Sequence, residues 1–313
     1  MSMTGIETAL EQSLPNSFFY VFTDASAKDY TLVKRVKSLS QDKRCQIDFV
    51  LTGICDTVTS KDYLVYHELA NATNGQVFHL NKDEVNKILT YVSETVKNKK
   101  TTITSGTFEP GYNNTLEFDV DFRMSDLFVS VSGSEPKIDI SGPDGRKLPT
   151  KDIVRTSSIA IVKVPDPKPG LHTATVGSKS KTTALVSAET SIDFNCGFSV
   201  FQPSTIADTT VKPIPDEESY VSAQLIIKKG NIELETIQIL EMDGNVIAEK
   251  PVVLLNEVEK FYVTTEPLIA PNRMFKIAIS TVAKAFPKLE DKLYSTQSSV
   301  LAAPACFGCV NTW

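Results

Sequence analysis

Between residues 1 and 100 the apolar positions fall into short runs separated by polar turns and helical stripes. Ser17–Phe22, Gln46–Leu51 and Gly75–Leu80 are β-rich, and each is followed by a polar turn and a helix candidate. That alternation predicts successive βα units on a parallel sheet. The clearest helix carries Val85, Ile88, Leu89, Val92 and Val96 on one stripe of a 3.6-residue period. Asn81 is placed to cap it with Glu84 reaching back, and Lys97, Lys99 and Lys100 sit where the C-terminal end of the helix dipole favours cations. Leu32, Val33, Val36 and Leu39 predict a helix after the first strand, and Ile6 and Leu10 one before it.

From about residue 101 two-residue alternation replaces the helical period. Leu116, Phe118, Val120 and Phe122 alternate with Glu117, Asp119 and Asp121, a strand with one buried and one wet face. Asp144-Gly145 and Asp243-Gly244 lie between apolar strands and read as hairpin turns, because glycine tolerates the positive φ such turns need. The two turns are roughly 100 residues apart, and Val164–Gly170 and Pro267–Asn272 precede further strands at a comparable offset. This spacing predicts an internal repeat: two immunoglobulin-like sandwiches in tandem, each of about seven strands. The expected organisation is 1–100 α/β, 101–205 and 206–303 all-β, and a tail at 304–313, with a polar linker from Gln202-Pro203-Ser204 to Pro215-Asp216-Glu217-Glu218.

Composition narrows the function. A chain of 313 residues with 41% hydrophobic and 22% charged residues is ordinary for soluble globular domains. No apolar run approaches the ~18 residues of a transmembrane helix. A net charge of −6 without a long basic block argues against nucleic acid. Three histidines (His67, His79, His172), scattered along the chain, give little to build a metal site or a Ser-His-Asp relay from and are expected to be structural. No nucleophile with a nearby base stands out, so an enzyme is not expected. Met1-Ser2-Met3-Thr4 opens without a basic or apolar leader, which taken literally says cytosolic. Asn71-Ala72-Thr73 and Asn113-Asn114-Thr115 would be glycosylation acceptors in a secreted protein.

Asp24 ends the first predicted strand, and the C-terminal edge of an open parallel sheet is where ligands bind. Its other reading is a cap on the following helix, shared with Ser26. Here the sequence resembles a family. VFTDASAKDY, DFVLTGICD and YHELANATNGQVFHLNKDEVNKIL are similar to the C-terminal half of a von Willebrand factor A domain, most like that of the hemicentins. VSVSGSEPKIDISGPDG, VPDPKPGLHTATV, TSIDFNCGFS and YSTQSSV resemble the segment that follows it there, so the likeness covers most of residues 1–303. It implies a secreted, extracellular-matrix protein that binds matrix or cell-surface proteins and performs no catalysis.

In A domains a divalent cation, Mg²⁺ or Ca²⁺, is held by an Asp-x-Ser-x-Ser loop, a Thr from a second loop and an Asp from a third. Asp24 matches the third, and the first two have no counterpart. One carboxylate of a site needing about six oxygen ligands does not hold either ion tightly. The resemblance also implies a truncated, partial doubly wound sheet with an exposed edge, stable only if something covers it: either these residues belong to a longer protein or another chain completes the sheet. In that light Cys55, in the loop after the second strand, either pairs with an upstream cysteine or is a free thiol. Cys45 and Cys196 are expected to be small buried residues, and Cys306-x-x-Cys309 lacks the further ligands of a zinc site. The alternative to adhesion is an α/β small-ligand or phosphoacceptor domain with accessory β modules, although a glycine-rich phosphate loop is absent.

Overall fold

The computed structural model describes residues 2–53, 60–73, 75–98, 100–120, 124–189, 192–214, 216–227, 232–283 and 295–303. The first unit runs α1 (Ser2–Gln12), β1 (Phe18–Thr23), α2 (Val33–Asp42), β2 (Gln46–Leu51), α3 (Lys61–Ala72), β3 (Val77–His79) and α4 (Val85–Asn98). The three strands pair in parallel in the order β1-β2-β3, as the alternation of strands and helices predicts. Asn81 and Glu84 form the expected capping box ahead of α4.

Side chains on β2 divide between two apolar layers, because successive residues of a strand face opposite ways. Ile47, Phe49 and Leu51 join Met3, Ile6 and Leu10 of α1, Val33 and Val36 of α2, and Tyr66 and Leu69 of α3. Val50 faces the other way and clusters with Phe78, Leu80, Ile88 and Tyr91. That second layer is closed by Val154, Ile159 and Ile161, which belong to the next unit. At β2 and β3 this sheet face is therefore covered from within the chain, whereas Phe18 and Phe22 of β1, on the same face, stay exposed. Docking also turns α4: Ile88 and Tyr91 are buried while Leu89, expected on the buried stripe, is 44% exposed.

The second unit comprises β4 (Thr101–Phe108), β5 (Gly111–Val120), β6 (Ser125–Ser132), β7 (Lys137–Ser141), β8 (Lys151–Arg155), β9 (Ile159–Val164), β10 (Gly170–Ser178) and β11 (Thr182–Glu189). Its sheets, β5-β10-β7 and β4-β11-β6-β9-β8, enclose a core that includes Leu116, Phe118, Val129, Ile140, Val162, Val176 and Val186. Pairing is nested, β4 with β11, β5 with β10 and β6 with β9, the order of a jelly-roll sandwich. This differs from the immunoglobulin-like order expected for 101–205. Alternation and turn chemistry specify strands and hairpins, whereas which distant strands pair is a non-local matter.

The third unit comprises β12 (Ile192–Ser199), β13 (Glu218–Ile227), β14 (Ile232–Leu240), β15 (Val246–Asn256), β16 (Phe261–Thr264), β17 (Leu268–Ile269), β18 (Phe275–Ala283) and β19 (Ser295–Ala303). β12 pairs with β13 along its whole length, so the pairing changes over between β11 and β12, ahead of the expected boundary at 205. β15 belongs to both halves of the sandwich. Thr236–Leu240 of β14 pair with its first half, and Val252–Asn256 pair with β16. One half is thus β12-β13-β16-β15 and the other β15-β14-β18-β19, around Phe194, Phe198, Leu225, Ile237, Tyr262, Phe275 and Ile277. The strand orders of the two β regions differ, so the roughly 100-residue repeat in turns and strands does not extend to topology. Both Asp-Gly turns form as expected, with φ of 73° at Gly145 and 99° at Gly244.

Polar ties join the units where apolar contact ends. Asp48 is buried in β2; its carboxylate accepts the Gln76 backbone N–H at 2.7 Å and the Gln46 amide at 3.2 Å. The Gln76 side chain in turn accepts from the Ser130 hydroxyl and donates to the Thr183 carbonyl at 3.4 Å. Arg44 donates to the Cys196 carbonyl at 3.0 Å, and Lys212 to the Ser38 hydroxyl at 2.9 Å, tying first unit to third. Lys276 of β18 is buried and donates to the carbonyls of Ser105 and of Met242, the latter at 2.8 Å. Lys276 borders a cavity of about 10 Å³, lined also by Asn71 and Gln76, Ser105 and Thr183, and Met242, one group from each unit. That volume holds about one water.

Burial pulls the Lys276 ammonium down to about 7, with nearby Asp243 opposing. Between pH 7 and the ordinary lysine value the unfolded chain keeps a proton that the folded chain loses, so stability contributed by this group rises with pH. The wild-type chain is expected to gain up to about 1.4 kcal/mol per pH unit from pH 7 to 9 relative to Lys276→Met, read from urea midpoints across that range. Parallel pH profiles would contradict it.

Candidate site at the edge of the parallel sheet

Thr23, Leu51 and His79 end the three strands side by side, and the loops beyond them form the C-terminal edge of the sheet. Asp24 is exposed there. Its backbone is held closely: the Thr52 N–H donates to the Thr23 carbonyl at 3.0 Å, and a Cβ on Gly53 would lie 3.1 Å from the Asp24 carbonyl oxygen. The loop is anchored to α3 by the Tyr66 hydroxyl, which donates to the Ala25 carbonyl at 2.8 Å, and by the Ala27 N–H, which donates to the Asp62 carbonyl at 2.9 Å.

The helical turn that follows begins at Tyr30, so Asp24 is too far upstream to be its N-cap. Capping falls instead to Asp29, and on a different helix. Its carboxylate accepts the N–H of Met3 at 3.1 Å and of Thr4 at 2.9 Å, and the Thr4 hydroxyl at 2.7 Å, closing the N-terminus of α1. Partial burial pushes the Asp29 carboxyl up, but these hydrogen bonds outweigh it and hold the group down at about 2.

Among the described residues no three His, Cys, Asp or Glu side chains come together as a metal-binding group. Cys55, Cys306 and Cys309 lie outside the described residues. Cys45 and Cys196 are buried free thiols, and burial pushes Cys196 up to about 11. Asn71 lies half-buried in the last turn of α3. The Thr73 hydroxyl of its sequon is buried, donates to the Leu69 carbonyl at 2.9 Å and accepts from the Ile47 N–H at 3.1 Å. Asn113 and Thr115 are both exposed on β5, an edge strand.

Two of the three histidines do converge. The His67 ring, on α3, lies 5.9 Å from the His79 ring, at the end of β3, and Tyr63 lies 5.5 Å from His79, stacked, and 5.4 Å from His67, tilted. The Tyr63 hydroxyl is hydrogen-bonded to His79 Nε2 and lies 3.4 Å from His67 Nε2. Burial lowers both imidazoles; His67, beside His79 and Lys181, falls to about 4. Tyr63 and His67 are four apart on a helix and so visibly share a face, but nothing local in the sequence brings His79 to them. His172 is fully buried and stacked on Phe118 at 5.8 Å, the structural role expected of it.

Similarity to known proteins fits this geometry. The von Willebrand factor A domain family model matches residues 1–82, and the hemicentin galactose-binding domain-like model matches residues 100–191. Human hemicentin-1 is 32% identical over 96% of the chain, mouse hemicentin-1 34% over 80%, and mouse hemicentin-2 32% over 82%. The chain is related to the hemicentins. It spans 5% of the length of each of these hemicentins. The hemicentin likeness runs across both seams between units, and the jelly-roll pairing falls within the segment that the galactose-binding-like model matches.

If Asp24 alone cannot hold a hard cation, calorimetric titration of the purified chain with Mg²⁺, Mn²⁺ or Ca²⁺ should give no saturable heat at micromolar concentrations, and Asp24→Ala should behave identically. Tight binding abolished by Asp24→Ala would contradict this, and phosphoryl transfer to Asp24 would favour the phosphoacceptor alternative.

Proposed function

We propose that this chain is a non-catalytic extracellular-matrix adhesion module of a larger hemicentin-like protein, acting through contacts with matrix or cell-surface proteins. The observation that carries this reading is the hemicentin likeness over 80–96% of the chain. The fold supports it in two ways. The three units are tied by a shared apolar layer and by buried polar links, so they present fixed surfaces rather than beads on a flexible string. The third unit's two halves, β12-β13-β16-β15 and β15-β14-β18-β19, follow the strand order of an immunoglobulin-like sandwich, a frequent adhesive architecture.

Membership of a larger protein is supported by the free side of β1, which among the described residues pairs only with β2 and leaves Phe18 and Phe22 48% and 46% exposed. A strand with such an edge is ordinarily paired or covered. In secretion Asn113, not Asn71, carries the glycan: its sequon is exposed on an edge strand, whereas the Asn71 sequon is wound into α3.

Expressed behind a secretion signal in matrix-forming cells, the chain should partition into the detergent-resistant matrix. Intact mass should fall by one N-glycan in Asn113→Gln and stay unchanged in Asn71→Gln. Chain that stays entirely in the medium would contradict the adhesive reading; a glycan on Asn71 would contradict the assignment of the acceptor.

A further inference from the structure

We propose that Tyr63, His67 and His79 form a pH-operated latch on the seam between the first and second units, closed at neutral pH and opened by protonation of both imidazoles in an acidic compartment. The placement carries the argument. His79 lies between Phe78 and Leu80, and both of these pack into the apolar layer shared with Val154, Ile159 and Ile161 of the second unit. Its carbonyl accepts a hydrogen bond from the Ser158 hydroxyl in the turn between β8 and β9. Anything that displaces His79 therefore pulls on the strand that holds the seam.

The hydrogen bonds of the three side chains balance only while at least one ring is neutral. The Tyr63 hydroxyl has one proton to donate to the Nε2 of one ring while its oxygen accepts from the Nε2–H of the other, the tautomers setting which ring does which. Protonating both rings makes each Nε2 a donor and leaves the phenol O–H without an acceptor. Protonating His67 adds a second cation at 5.9 Å between ring centres. Among the described residues the groups facing the pair offer no compensation. On α3 there is Tyr63; from the turn between β10 and β11 comes Lys181, another cation; and β19, which touches α3, has no titratable residue in its sequence. Among the described residues no carboxylate forms an ion pair with either ring. Two neighbouring half-buried histidines without an anion are a recognised way to make an interface acid-sensitive.

The sign follows from the direction of the shift. Between His67's value of about 4 and the ordinary 6.5, the opened state binds a proton that the closed state excludes, so the closed form loses stability as pH falls through that window. For His67 alone this amounts to up to about 300-fold in the closed-to-open ratio, and His79 adds in the same direction.

The test follows the radius of gyration of the full chain by small-angle X-ray scattering from pH 7.5 to 4, with far-UV circular dichroism in parallel and imidazole titration by NMR. The expected result is a step to a larger radius between pH 6.5 and 4 with circular dichroism retained. The step should be absent in His67→Gln/His79→Gln. Lys181→Glu changes an exposed side chain and so leaves folding intact. It should raise the His67 titration midpoint and move the step to lower pH. A radius constant to pH 4, a step unchanged in Lys181→Glu, or loss of circular dichroism at the same pH would overturn the proposal. So would Zn²⁺ at micromolar concentration abolishing the step through both histidines, which would make the cluster a metal site.

Discussion

A parallel sheet has two apolar faces, and each must be covered before the strands between them are worth forming. In this chain three strands carry that requirement without a second layer of helices large enough to meet it. Helices α1, α2 and α3 cover the face that presents Ile47 and Phe49. The face that presents Val50 and Phe78 is covered by α4 together with Val154, Ile159 and Ile161 of the neighbouring jelly roll. The seam between units is thus part of a core, and the first unit depends on the second for its hydrophobic stabilisation.

Once the faces are covered, the polar groups caught at the junction must find partners, because a buried donor or acceptor without one costs about 1–3 kcal/mol. Gln76 answers for several at once. Its backbone N–H satisfies Asp48 while its side chain serves Ser130 and Thr183 across the seam. Asp48 still bears a cost, since burial pushes its carboxyl up to about 7 against the hydrogen bonds from Gln76 and Gln46. Lys276 bears the matching cost on the third unit's side, held between carbonyls of two units. Both groups are shifted toward neutrality, from opposite directions, by burial at the junction. Near it lies the Tyr63–His67–His79 cluster, whose sensitivity to acid has the same origin, burial without a counter-charge.

Much of this fold is legible locally. The three parallel strands, the capped helix after Asn81 and both Asp-Gly turns follow from periodicity and turn chemistry within a dozen residues. What escapes such reading is every decision made at long range. The nested order of β4 to β11 cannot be told from a sequential sandwich, because each strand alternates in the same way under either pairing. The orientation of α4 was set by the second unit, which buries Tyr91 in place of Leu89. At the sheet edge, the position of Asp24 was legible and the capping was not; the cap ascribed to Asp24 is supplied by Asp29, which reaches back to α1. The histidine pair was hidden because α3 and β3 meet through a turn whose geometry no single residue announces.

The dependence of the first unit on the second is tested most directly by native-state hydrogen exchange in Phe78→Ala. If the two units share one core, protection of the β9 amides, Ile159–Val164, falls by the same free energy as that of β3, in the range of about 3–5 kcal/mol for removing a buried phenylalanine. Loss of protection confined to β3, with β9 unchanged, would contradict the shared core.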